Sequence, residues 1–198
     1  MAKFKYKWGT MNSGKSQELL RTHYNYTSRG ETPLAFTSSL DNRTGIGIIE
    51  TRAGENINAI PISNLNEIKE YIEELEKQGY ERMKEIPCVL IDEVQFLSED
   101  VILFIKNKFI IEYNIPVIAY GLKTDFQNKL FEGSKACLIY AEEITEIETI
   151  CRFCRKKATM NLRLKDGMPT YNGEQVDISY DYFPVCHLHY YYPDFSNF

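Results

Sequence analysis

Gly9-Thr10-Met11-Asn12-Ser13-Gly14-Lys15-Ser16, preceded by the alternating run Lys3-Phe4-Lys5-Tyr6-Lys7-Trp8, decides the fold. The eight residues fit GxxxxGKS, the phosphate-cradling P-loop, at every fixed position. Glycines let the backbone turn and approach a ligand, consecutive N–H groups point at anionic oxygens, and Lys15 reaches the β and γ phosphates of a triphosphate. Ser16 is the Mg²⁺ ligand of the motif, and the helix starting near it turns its positive dipole end toward the same phosphates. The period-two pattern of residues 3 to 8 predicts the strand that must precede such a loop. Its three lysines predict a sheet face that is only partly covered, or lysine stems lying along it with their ammonium groups in water. Gln17 to Arg29 contains no Pro or Gly and predicts the helix that must follow.

Outward from this unit the same alternation continues. Thr32 to Thr37 reads as a short strand, and Asp41 to Asn64, with three glycines and few periodic signals, reads as a long, mobile excursion. Leu65, Ile68, Ile72 and Leu75 fall at helical spacing, with Gly79 as terminator. Cys88 to Ile91 is an apolar run that ends in Asp92-Glu93, the pattern of a buried parallel strand delivering acids to a site. Two adjacent carboxylates repel unless a cation or a division of roles justifies them: Asp92 serves a metal and Glu93 stays available to accept a proton. Ser98 is placed to cap a helix carrying Val101, Ile102, Ile105 and Phe109; Pro116 to Gly121 supplies another buried strand, and Ala136 to Tyr140 reads as one more. The expected class is α/β with a parallel sheet flanked by helices.

Near Cys151 the composition changes to a Cys- and Tyr-rich tail. Cys151 and Cys154 form a CxxC, and Cys186 with His189 a CxxH, two knuckles able to close a tetrahedral S₃N zinc site with no open position, hence structural. His187 is an alternative ligand. An odd total of five cysteines also argues for metal rather than disulfides. The tail aromatics Tyr180, Tyr182, Phe183 and Tyr190 to Tyr192 suit either a stacking platform or the packing of a small metal module. His23 is read as a surface or packing residue. The 198 residues suit one domain, or one domain plus a small module. A net charge of −5 disfavours broad nucleic-acid binding, no apolar run approaches a membrane span, and MAKFKYKW lacks a signal-type apolar region, so a cytoplasmic location is expected.

GTMNSGKS, Asp41-Asn42-Arg43, the stretch IDEVQF ending at Phe96, YGLKTDF ending at Phe126 and the paired knuckles together resemble the type II thymidine kinase family over essentially the whole chain. The resemblance implies a RecA-like P-loop NTPase domain over residues 1–148 and a zinc-ribbon-like module over 149–198 whose lasso covers the substrate. It implies transfer of the γ-phosphate of ATP to the 5′-hydroxyl of thymidine, giving dTMP, in a homotetramer open to inhibition by dTTP. By position, Gly9 to Ser16 together with Asp92, Glu93, Val94 and Gln95 form the nucleotide site, Ser16 and Asp92 holding Mg²⁺ and Glu93 acting as general base. Asp41 and Arg43 match a DxR pair near the phosphates, where an arginine neutralises developing charge. Met11, Phe96, Leu122 and Phe126 match the thymidine pocket, with Phe96 and Phe126 bracketing the nucleoside; Asn161 stands where a threonine usually approaches the thymine methyl. Val176 and Tyr182 belong to the lasso. The sequence departs from the family there, because Val176 to Tyr180 lacks the usual glycine pair and is shorter by two residues, and Lys123 stands where aspartate is frequent.

Overall fold

The computed structural model describes residues 1–41, 45–79, 83–177 and 180–195. In chain order the first half builds β1 (Phe4–Trp8), α1 (Lys15–Thr27), β2 (Leu34–Ser38), β3 (Ile48–Glu50), β4 (Asn56–Asn58), β5 (Ile60–Ile62) and α2 (Leu65–Lys77). It continues with β6 (Val89–Asp92), a 3₁₀ turn (Val94–Phe96), α3 (Glu99–Ile105), a π-helical segment (Lys106–Glu112), β7 (Val117–Gly121), α4 (Glu132–Tyr140) and β8 (Glu143–Glu146). Six of these strands form one sheet in the order β5-β2-β6-β7-β1-β8, and every neighbouring pair is parallel. The expected α/β class is therefore observed.

The strand pattern explains which face receives which helix. Phe4 and Tyr6 of β1 join Val89, Ile91, Val117 and Ala119 in a cluster closed by Ile68 and Ile72 of α2, Val101 and Ile102 of α3, and Ala136 and Cys137 of α4. The opposite face carries less apolar cover: Leu19 and Leu20 of α1 and Ile49 of β3 pack on Leu90 and Tyr120. Lys5 and Lys7 of β1 point to that thinner side. Lys5 pairs with Glu143 at 2.8 Å, and Lys7 pairs with Glu18 and lies over the Tyr120 ring. Trp8 closes the strand, half-buried, with Lys123 Nζ 4.0 Å from its ring centroid.

Local signals account for the element ends. Asn64 caps α2 by accepting the N–H groups of Asn66 and Glu67, while Glu67 reaches back to the N–H of Ser63 at 2.7 Å. The helix stops before Gly79, whose φ of 116° lies in the region that glycine favours.

Three expectations are corrected. Ala136 to Tyr140 is the second half of α4, not a strand. A five-residue apolar run has no period of its own, and burial of Gly133, Ser134, Ala136 and Cys137 follows helical spacing; the strand comes after it, as the charged sheet edge β8. The segment from Asp41 to Asn64 contains the antiparallel pair β3–β4 and the edge strand β5, each three residues long and too short to show a period. Ser98 occupies the cap position of α3, but its hydroxyl donates to the Asp100 carboxylate and caps no backbone N–H.

Gly133 sets the distance between α4 and the 3₁₀ turn. A Cβ there would collide with the carbonyl oxygen of Val94 and lie 2.6 Å from that of Leu97, and backbone cannot rotate away. Gly133→Ala is expected to lower stability by about 1–3 kcal/mol, and to lower activity with it, because the turn it displaces carries Gln95 and Phe96; thermal unfolding beside a turnover assay checks this.

The remaining strands, β9 (Met160–Lys165), β10 (Met168–Thr170) and β11 (Asp181–Val185), form an antiparallel sheet in the order β10-β9-β11, followed by α5 (His187–Tyr191). They enclose their own apolar cluster, which includes Met160, Leu162, Leu164, Val185 and Tyr190. Among the described residues no helix is long and apolar enough to cross a membrane.

Candidate active site and metal centre

The loop after β1 is shaped by its glycines. Gly9 donates its N–H to the Gly121 carbonyl at 3.2 Å, and a Cβ on it would strike Ser13 Oγ and sit 2.5 Å from the Ile147 carbonyl. Asn12 and Gly14 take positive φ, which turns the chain into α1. Lys15 is buried, and its ammonium donates to the Thr10 carbonyl at 2.9 Å, curled over its own loop. Thr10 Oγ1 and Ser13 Oγ are buried with no hydrogen-bond partner among the described residues. Buried hydroxyls left unpaired are costly, so a loop that strands two of them beside a lysine and a helix N-terminus fits a polyanionic guest.

Asp92 ends β6 and is separated from the P-loop strand by β7 alone. Its carboxylate accepts from Ser16 Oγ at 2.9 Å and from the Glu93 N–H at 3.0 Å. Burial, and then the charge of Glu93, push Asp92 up to about 7, only partly offset by Ser16, the Glu93 N–H and Lys15. A divalent cation would favour the ionised carboxylate against both effects. Two oxygens 2.9 Å apart match adjacent positions around octahedral Mg²⁺, whose ligands at 2.0–2.1 Å lie about 2.9 Å from one another. Ser16 and Asp92 thus fit the ion expected from the sequence.

Glu93 adopts φ 51°, a left-handed conformation rare for a non-glycine residue and one that gathers at functional sites. Gln95 orients its side chain: Gln95 Nε2 donates to Glu93 Oε2 while Gln95 Oε1 accepts the Leu122 N–H at 3.0 Å. Leu122 is in turn fixed through its carbonyl, which accepts from Tyr6 OH at 2.9 Å and Ser134 Oγ at 2.5 Å.

Two cavities meet at these residues. The first, of about 340 Å³, is lined by Met11, Phe96, Leu122, Phe126 and Asn161, the residues the family resemblance brings to the nucleoside, together with Val176 and Tyr182 of the lasso and Asp41 of the DxR pair. The second, of about 790 Å³, is lined by Gly14, Lys15, Ser16 and Asp92 with the β3–β4 turn. Met11, Asn12, Asp41, Arg52 and Glu93 line both. Other assigned residues stand elsewhere: Val94 is packed in the core, Gln95 faces the first cavity, and Arg43 lies outside the described residues. Asn161 spends its carboxamide on protein groups, accepting the Met11 N–H at 2.8 Å and donating to the Thr124 carbonyl at 3.3 Å.

Sequence reasoning missed Arg52, Asp125 and Gln175. Arg52 sits in the turn between β3 and β4, inside the stretch read as irregular. Asp125 lies within a quoted motif, but only the fold shows its carboxylate accepting from Gln175 Nε2 at 2.9 Å.

The four sequence-predicted zinc ligands converge. His189 Nδ1 lies 3.4 Å from both Cys151 Sγ and Cys186 Sγ, and Cys154 Sγ lies 3.8 Å from Cys186 Sγ. Zinc bonds of 2.3 Å to sulfur and 2.0–2.1 Å to nitrogen would separate tetrahedral ligands by about 3.8 Å (S–S) and about 3.5 Å (S–N), so the cluster can hold zinc. Burial pushes the Cys151 thiol up, but backbone N–H groups of Cys186, Phe153 and Cys154 and the His189 ring outweigh it, leaving it near 6. His187 is exposed, packs on Tyr191 and stands outside the cluster. Of the tail aromatics, Tyr180, Tyr182 and Phe183 line the first cavity, whereas Tyr190 is buried and donates to the Phe126 carbonyl at 2.5 Å.

A family model described as thymidine kinase matches residues 2–190. A thymidine kinase of Streptococcus pyogenes serotype M1 is 48% identical over 196 residues, covering 98% of this chain and 100% of its own length. Thymidine kinases of Lactobacillus acidophilus and Lactobacillus johnsonii are 46% and 45% identical over 197 residues, with 98% of each chain covered. With a family match along almost its whole length and relatives nearly half identical from end to end, this chain belongs to the thymidine kinase family.

Proposed function

We propose that the chain transfers the γ-phosphate of ATP to the 5′-hydroxyl of thymidine, giving dTMP, with residues 1–148 as the kinase domain and 149–198 as the covering module. The observation that carries the reading is the place of Glu93, on the wall shared by the two cavities. ATP phosphates occupy the larger cavity, where Lys15 exchanges the Thr10 carbonyl for phosphate oxygens and Thr10 and Ser13 gain partners. Thymidine occupies the smaller one between the rings of Phe96 and Phe126. Its 5′ end then faces Glu93, which accepts the hydroxyl proton late in a loose, in-line transfer. Ser16 and Asp92 would hold Mg²⁺, which would supply neutralisation of the phosphate charge. Arg52 adds positive charge at the same junction, the charge the family resemblance assigns to Arg43. Closure by residues 171–177 and 180–183 excludes water and suppresses ATP hydrolysis.

The family resemblance also supports a homotetramer and inhibition by dTTP. The test is transfer of label from γ-labelled ATP over a panel of thymidine, deoxyuridine and deoxycytidine. Thymidine is expected to accept label best, and a panel on which no nucleoside accepts it overturns the reading.

A further inference from the structure

β9 presents two buried polar side chains on one face, Asn161 and Arg163. Asn161 is accounted for above; Arg163 serves a different end. It is 2% exposed, and its guanidinium lies between two rings, 3.5 Å from the centroid of Phe126 and 4.7 Å from that of Tyr180. Phe126 is a wall of the smaller cavity and Tyr180 belongs to the segment that covers it. From the same position Nη1 donates to the Glu174 carbonyl at 3.1 Å and Nη2 donates to the Asn172 carbonyl.

The residue between those two carbonyls is Gly173, at φ 130°, where an added Cβ would lie 2.5 Å from Arg163 Nη2. The covering segment therefore wraps the guanidinium closely, at a backbone conformation that favours glycine and where a Cβ would displace the guanidinium. Among the described residues no ion pair forms on Arg163, and its Nε has no partner. A buried cation with no carboxylate is tolerable only where carbonyl dipoles and ring faces replace its water. Here the covering segment itself supplies most of them. Opening the segment would return Arg163 to solvent, and closing it requires the fork and the stack to form again.

We propose that Arg163 is the positioning residue that latches residues 171–177 and Tyr180 over the nucleoside cavity, setting nucleoside affinity rather than the rate of transfer. The consequence for substrate rests on the proposed function, whereas the latch itself does not. Lysine keeps the charge but cannot stack flat or reach two carbonyls at once.

The test compares full-length, zinc-loaded wild type with Arg163→Lys, Gly173→Ala and the double variant. Arg163→Lys is expected to speed hydrogen exchange at the amides of 171–177 in the nucleoside-free protein and to raise the thymidine KM about tenfold or more. The ATP KM, kcat at saturating thymidine and zinc content should stay near wild type. Gly173→Ala should reproduce this with Arg163 itself unchanged, because the added Cβ displaces the guanidinium, and the double variant should be no worse than the more impaired single one, because both remove one interaction. If Arg163→Lys loses zinc, Gly173→Ala carries the same comparison. Unchanged exchange and unchanged thymidine KM would overturn the latch, as would a fall in kcat with KM intact. Faster exchange in a protein whose wild type transfers nothing to thymidine would support the latch and reject the nucleoside.

Discussion

Glu93→Gln is expected to lower kcat for thymidine phosphorylation by about 10²–10⁴-fold, the usual contribution of a positioned general base, while thymidine affinity stays close to wild type. The split follows from the hydrogen bonds around position 93. Gln95 Nε2 donates to one carboxylate oxygen, and a glutamine side chain retains an oxygen to accept that bond. The Leu122 N–H remains tied to Gln95 Oε1, so the wall of the nucleoside cavity keeps its shape. What disappears is the ability to take a proton at the junction of the cavities. Steady-state kinetics with separate thymidine and ATP titrations check the prediction. Near-normal turnover would remove Glu93 from the chemistry and leave it a role in positioning only.

Stripping the metal from the Cys151, Cys154, Cys186 and His189 cluster is expected to abolish thymidine binding while the P-loop still binds ATP. The cluster's own apolar core is small, and Cys151 and Cys186 are among its seven buried members. Without metal those two become buried thiols, and too little apolar surface remains to order the module. Structural zinc contributes folding free energy directly. Three site residues depend on it: Asn161 and Arg163 on β9, and Tyr182 on β11, four positions before Cys186. The P-loop, by contrast, is held by β1, β7 and α1 through backbone bonds such as Gly9 to Gly121. Metal analysis of chelated and native protein, with isothermal titrations of thymidine and an ATP analogue, checks the result. Metal-free protein that binds thymidine as tightly as the native form would contradict it.

Legibility from sequence tracked how local the physical cause was. GxxxxGKS, the apolar run into Asp92 and the two cysteine knuckles each confine their chemistry to a few consecutive residues, and the fold brings those residues together. β3, β4 and β5 escaped notice because three residues cannot display a period, and their pairing is decided by partners elsewhere in the chain. Ala136 to Tyr140 misled for the related reason that a short apolar run is consistent with either period; Gly133 resolves it through close approach to the 3₁₀ turn, which only tertiary structure reveals. Arg52 and Arg163 carried no motif. Arginine is ordinarily exposed, and nothing adjacent in sequence announces that Arg163 is enclosed by Phe126, 37 positions away, and Tyr180. The residues proposed for the nucleoside were assigned by family resemblance, since Met11, Phe96, Phe126, Asn161 and Tyr182 come from five separate parts of the chain and line one cavity only in three dimensions.

Trp8 stacks beneath Lys123 at the end of the strand that leads into Gly9, and it is the chain's one tryptophan. Indole emission from this protein is consequently a single-point optical signal from the seam between the phosphate loop and the segment after β7. The segment from Cys151 onward holds only tyrosines and phenylalanines as its fluorophores. Selective excitation of the indole thus watches one half of the molecule and tyrosine emission draws on the other as well, so loop and cover can be followed in the same cuvette without a label.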